Sequence, residues 1–267
     1  MTTTDQPGWN TALAEELIYG YLSRALMSPD AASWTELREV RGPALACIEP
    51  SDQGLAQSMC DLLEAVAETS VAEAQEARRA LFPVVETPDC PTYESAYRGR
   101  DVWGQTNLMA DVAGFYRAHG LRVGAPIAER PDHIGVELEF MGVVAHKEAD
   151  AIRRGATDQV AVCRETGDAF LRDHLGCWGT AFGRRIERLA PVPYLRAAGA
   201  LLANWLEAEM TARSIEPVEW VGGPTPVAFE PLSEDDLDDI CAPGAGPLPM
   251  VPLESVGRRP LSTESNS

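Results

Sequence analysis

Glu129-Arg130-Pro131-Asp132-His133-Ile134-Gly135-Val136-Glu137-Leu138-Glu139-Phe140-Met141 is the stretch on which the fold of this chain turns. It begins as a loop, passes through a proline, and becomes a helix. Asp132 is expected to cap that helix, because a short carboxylate before the first apolar turn can accept orphan backbone N–H groups and complements the helix dipole. His133 then falls in the first turn. Glu137 sits one turn beyond it on the same face, within reach of an imidazole–carboxylate contact. Ile134, Leu138 and Met141 anchor the helix on its apolar side, with Ala145 and Ile152 extending the stripe. The expectation is an open, acidic, partly apolar corner suited to docking a peptide. On residue type alone, the plainer readings are favoured: Asp132 as a simple N-cap and His133 as a structural histidine.

Working outward, the period stays helical. Leu13, Leu17, Tyr21 and Ala25 recur every four residues after Asn10, a good N-cap, and Ser28-Pro29-Asp30 ends that helix. Ser33 with Glu36 suggests a capping box for a short second helix, stopped by Gly42-Pro43. One long helix is expected over about 55–82, then irregular chain over 83–101 that carries Tyr93-Glu94-Ser95-Ala96-Tyr97. Leu108, Val112, Phe115 and Tyr116 resume the helical spacing, which turns at His119-Gly120. Further helices are expected over about 158–174, 177–189 and 194–213. No useful strand alternation occurs. The fold class is therefore all-α, a single compact multi-helix domain over 1–215.

Composition changes beyond that point. Residues 216–267 hold 10 acidic and 2 basic residues and nine of the chain's 20 prolines, so they read as an extended or disordered acidic tail, with a helical turn at 233–237.

The whole chain carries a formal charge of −19 over 267 residues, which disfavours nucleic acid and anionic membrane surfaces and attracts cationic partners. Lys147 is its single lysine. The six cysteines lie far apart, without C-x-x-C, which fits a reducing compartment. The opening MTTTDQPGWN has neither a basic nor an apolar segment of a secretory signal, and no apolar run approaches a membrane span. A cytoplasmic location is expected, with no membrane insertion.

Neither a phosphate-binding glycine loop nor a nucleophile motif is present, so no enzyme activity and no cofactor are expected. A metal site on Asp132, His133 and Glu137, helped by His146 or His174, would support a metal-dependent hydrolase. It lacks an H-E-x-x-H pattern and any cysteine at ligand spacing. A general helical interaction subunit is the other alternative.

The run Glu129 to Met141 resembles the signature of the TorD/DmsD/NarJ-type redox-enzyme maturation chaperones, with Pro131, Asp132, His133, Ile134, Glu137, Leu138, Phe140 and Met141 in register. Tyr93-Glu94-Ser95-Ala96-Tyr97 is similar to that family's tyrosine-glutamate-serine-x-tyrosine element, and Phe170-Leu171…His174-Leu175 with Trp178 to a later helix. The resemblance covers about residues 10–213. It implies an all-helical chaperone for a molybdopterin-containing oxidoreductase subunit. Such a protein binds the subunit's twin-arginine signal peptide or its apo form, assists cofactor insertion and delays export.

Carried onto this chain, the resemblance puts Asp132 and His133 in the peptide site, with Glu129 and Glu137 close by and Tyr93, Glu94 and Tyr97 lining or supporting it. Trp103 is added as an aromatic useful against an apolar segment. Two adjacent guanidinium groups followed by an apolar stretch need carboxylates beside an apolar groove, since arginine's planar fork bonds a carboxylate twice. Asp132, Glu129, Glu137 and Glu94 are the expected acids. Gly135 departs from a good helix former and is expected to loosen this edge of the site, at about 1 kcal/mol relative to alanine.

Overall fold

The computed structural model describes residues 8–39, 53–83, 89–98, 102–124 and 129–218. Among the described residues all regular elements are helical, apart from one isolated β-bridge between Tyr93 and His133. In chain order they are α1 (Trp9–Leu26), α2 (Ala31–Glu39), α3 (Gln53–Glu68), α4 (Val71–Leu81), α5 (Glu94–Arg98), α6 (Val102–Ala118) and α7 (Ile134–Arg154). Then come α8 (Thr157–Phe170), a π-helical turn (Leu171–Leu175), α9 (Gly176–Leu189) and α10 (Pro193–Arg213). The stop expected at Gly42-Pro43 lies outside the described residues, as does all of the acidic tail expected from 216 beyond residue 218, including its turn at 233–237.

Several boundaries differ from the expectations, each for a local reason. α1 begins at Trp9, with Gly8 in the left-handed conformation (φ 86°) as its cap in place of Asn10. Asp30 caps α2, its Oδ1 accepting the N–H groups of Ala32 and Ser33 at 2.8 and 2.9 Å. Ser33 is thus already inside the helix. The long helix expected over 55–82 is two helices, because Ser70 and Glu73 form a reciprocal capping box that starts a new one. α5 arises inside the stretch read as irregular. At the other end, the helix read over 158–174 runs straight into the next one through the π turn.

α7 is the central helix: 14 of its 21 residues are buried, too many for a one-faced surface helix. It packs on α1 on one side and α8 on the other, while α10 packs on α9, α3 and α1. At the α9–α10 crossing, a Cβ on Gly199 would lie 2.5 Å from the Gly183 carbonyl oxygen and 2.7 Å from the Glu187 nitrogen. Both obstacles are backbone, so the glycines set how closely these helices approach.

A polar clamp closes the bundle. Arg213 reaches Glu15 at 2.7 Å, Asp168 at 2.9 Å and Glu209 at 3.3 Å, which ties the end of α10 to α1 and α8. Burial, with Glu209 beside it, pushes the Glu15 carboxyl up to about 8. No helix among the described residues is long and apolar enough to cross a membrane.

Candidate functional site

The two sequence elements singled out above meet in space. Glu94 N–H donates to the Asp132 carbonyl and Ile134 N–H to the Thr92 carbonyl, both at 2.9 Å, which makes the Tyr93–His133 bridge. The Tyr93–Tyr97 segment is therefore stitched to the start of α7. Tyr116 of α6 adds a third strut, its hydroxyl donating to the Pro131 carbonyl at 2.7 Å.

The roles of Asp132 and His133 are exchanged relative to the expectation. His133 is the N-cap of α7, its Nδ1 accepting the Gly135 N–H at 3.0 Å. An acceptor Nδ1 puts the ring proton on Nε2. Burial, with the Arg78 charge adding to it, lowers the His133 pKa to about 3, so the ring is neutral. Asp132 instead holds a bidentate pair with Arg130 (3.0 and 2.9 Å) and accepts the Ser95 N–H at 3.1 Å. Arg130 in turn lies over the Tyr93 ring, 4.6 Å from its centroid, and the Tyr93 hydroxyl donates to Glu129 at 3.2 Å.

Glu137 receives the Trp178 indole N–H at 3.1 Å in place of a histidine contact. Burial, then the neighbouring Glu94, raises its pKa well above the usual carboxylate range. Glu94 pairs with Arg98 and with His174 Nδ1 at 3.1 Å, and His174 Nε2 is 3.4 Å from Asp111.

The expectation of an open corner is corrected. Glu94, Asp132, His133 and Glu137 are each 0% exposed, and Tyr97 is buried against Trp178. Each of the four found a partner within the fold, although His133 Nε2 and Glu137 Oε1 have no hydrogen-bond partner among the described residues. These side chains shape the corner from beneath and do not offer themselves to a partner. Nor do the acids and histidines converge as metal ligands: His146 bonds Glu16 at 3.0 Å on a different face, and His174 is committed to Glu94.

Gly135 is also reinterpreted. A Cβ there would meet the Met27 sulfur at 2.4 Å, and Ser23 Oγ donates to its carbonyl at 2.7 Å. The missing side chain seats the end of α1 against α7 and tightens this edge.

The open feature lies next to the corner. A groove of about 990 Å³ runs between α1, α2 and α7 and takes in Glu129 at one end. Its carboxylates are Glu16, Asp30, Glu36, Glu39, Glu129 and Glu139, against Arg24 and His146 as its basic groups. Leu17, Tyr21, Met27, Leu37 and Val143 give it apolar walls. Arg24 reaches Glu36 only at 3.5 Å with both side chains more than half exposed, so that pair is weak and readily exchanged. Of the residues expected in the site, only Glu129 reaches the groove. Trp103, 79% exposed, stands at the start of α6 and is not among the groove's walls. The acids of α1 and α2 were missed, because nothing in their local pattern shows that they face α7.

Comparison with known proteins gives three findings. The family described as nitrate reductase delta subunit matches residues 48–184. A selenate reductase assembly chaperone protein of Thauera selenatis is 28% identical over 177 residues, covering 65% of this chain and 78% of that protein. A solved structure from Archaeoglobus fulgidus, described as a candidate redox enzyme maturation protein, shares 20% identity. It covers 73% of this chain and 94% of its own, with a TM-score of 0.46.

Proposed function

The chain belongs to the nitrate reductase delta subunit family of redox-enzyme assembly chaperones, and from that premise we propose that its groove docks the client. The client is a molybdopterin-containing catalytic subunit of a reductase or dehydrogenase. The segment bound is its twin-arginine signal peptide, or the apo subunit that carries it. Occupying that segment in the cytoplasm delays export while the cofactor is inserted, and the chaperone itself catalyses nothing.

The observation that carries this reading is the groove of about 990 Å³ with six carboxylates over apolar walls. Two guanidinium groups need such a pairing surface, and the apolar residues behind them need such walls. In this reading Glu129 touches the client. Asp132, His133, Tyr93 and Glu94 are positioning residues that hold the loop carrying Glu129, while Glu137 and Tyr97 support them from the core. Trp103 serves as an outlying contact for a longer client segment. The chain's charge of −19 speeds encounter more than it tightens the complex. The domain at 1–215 suffices for docking, with the acidic tail from 216 outside it.

Isothermal titration with a synthetic peptide carrying two adjacent arginines and an apolar run tests this. The affinity should fall with added salt, and Glu129→Gln with Glu139→Gln should weaken it about tenfold, from about 0.5–1 kcal/mol per exposed pair. Unchanged affinity of the double variant at low and high salt would remove the groove from the proposal.

A further inference from the structure

Beside the groove, and sharing Glu139 and Val143 of α7 with it, lies a second, smaller hollow. It measures about 70 Å³ and is walled mainly by apolar residues of 121–124, by Val136, Phe140 and Tyr116, and by the single cation Arg122, with Glu139 and Val143 closing one side. Glu139 and Val143 also line the acidic groove. They stand four residues apart, one above the other on α7, and so form a partition common to both compartments. Gly142 and His146 face the groove from this ridge, whereas Val136 and Phe140 face the hollow.

We infer that this hollow is an anchoring subsite for one aliphatic side chain of the same client segment whose arginines lie in the groove. The inference rests on the docking reading above and adds the register of the bound segment. Volume selects the anchor. An enclosed apolar cavity of about 150 Å³ accepts a benzene ring, so a hollow near half that size, open on one side, suits the end of a leucine, isoleucine or valine better than a whole aromatic ring. Charge selects the owner. The neighbouring compartment is acidic and draws a cationic chain, so the residue that crosses the partition belongs to a chain cationic on one side and apolar on the other. Distance selects the spacing. A helix with its side chains is roughly 10–12 Å across, which an extended segment spans in about three to four residues. The aliphatic anchor therefore sits about three to four residues from the arginine pair.

The experiment uses the full chain and two peptides, both with an arginine pair, one with leucine at the anchor position and one with serine there. Wild type should bind the leucine peptide about tenfold more tightly, the scale set by a few methylenes in a pocket. Val123→Asp should abolish that preference, so that the leucine and serine peptides bind it with equal affinity. Val123→Ser, a milder change, should reduce the preference if the aspartate variant unfolds. A photo-reactive side chain at the anchor position should cross-link within 121–124 or 136–140. Equal binding of the two peptides by wild type, or cross-links confined to α1 and α2, would overturn the subsite while Glu129→Gln still weakened both peptides. Absence of binding by either peptide would overturn the docking reading and this inference with it.

Discussion

Asp132→Ala separates a positioning residue from a contact residue. The Asp132 side chain is fully buried, and its oxygens accept two hydrogen bonds from Arg130 and one from the Ser95 N–H. Arg130 is 39% exposed, so losing its bonds is softened by water and costs only about 1–2 kcal/mol in sum. The Ser95 N–H is buried, and stranding it costs about 1–3 kcal/mol more. Together these predict a loss of about 2–5 kcal/mol, a large part of the stability of an ordinary domain. Urea unfolding followed by helical circular dichroism, with peptide titration alongside, reads both quantities.

Glu129→Gln is the control, because its carboxylate is at the groove and not in the core. It should shift stability by under about 0.5 kcal/mol while weakening the peptide. If Asp132→Ala left stability within 1 kcal/mol of wild type yet abolished binding, the client would be touching Asp132 directly. The closed corner would then be the wrong description.

Three further outcomes are expected. His133 has its pKa lowered to about 3 against about 6.5 unfolded, so the unfolded chain binds the extra proton and stability is lost as pH falls from 6.5 towards 3. His133→Asn keeps a capping side chain without a titrating ring and should remove a slope of about 1.4 kcal/mol per pH unit over that window, read from urea midpoints. Gly199→Ala places a methyl against two backbone atoms and should cost about 3 kcal/mol or more, read as a fall in the thermal midpoint; a change under 1 kcal/mol would show that α9 and α10 can part freely. Gly135→Ala forces the Met27 side chain aside, towards the groove it lines, and should weaken the peptide severalfold with little loss of helix content, checked by titration and circular dichroism.

Helical periodicity was legible wherever one face was apolar, as in α1, α7 and α10. Its breaks were legible only when proline or glycine marked them. The break at Ser70 was missed because a capping box can interrupt a helix without either residue. At the central corner, the motif told where the chemistry was concentrated but not which way it pointed. Asp132 and His133 are both fit to cap a helix. The choice between them was made by Arg130, two residues away, and by Ser95, 37 residues away in sequence. The groove is harder still to foresee. Its acids come from α1, α2, α7 and two connecting segments, and any one of them alone reads as an ordinary solvated charge.

The π turn at Leu171–Leu175 acts as a spacer in the phase of a long helical rod. Its carbonyls also accept from beyond the rod: Arg172 O takes the Val218 N–H at 3.0 Å beside the Cys177 thiol at 3.1 Å, and Asp173 O takes Arg98 at 2.5 Å. Deleting one residue there to restore a regular α-helix would turn everything downstream by roughly 100°. Trp178 would swing off Glu137, and Gly183 off its seat against Gly199. The surplus residue thus times two halves of the molecule against each other.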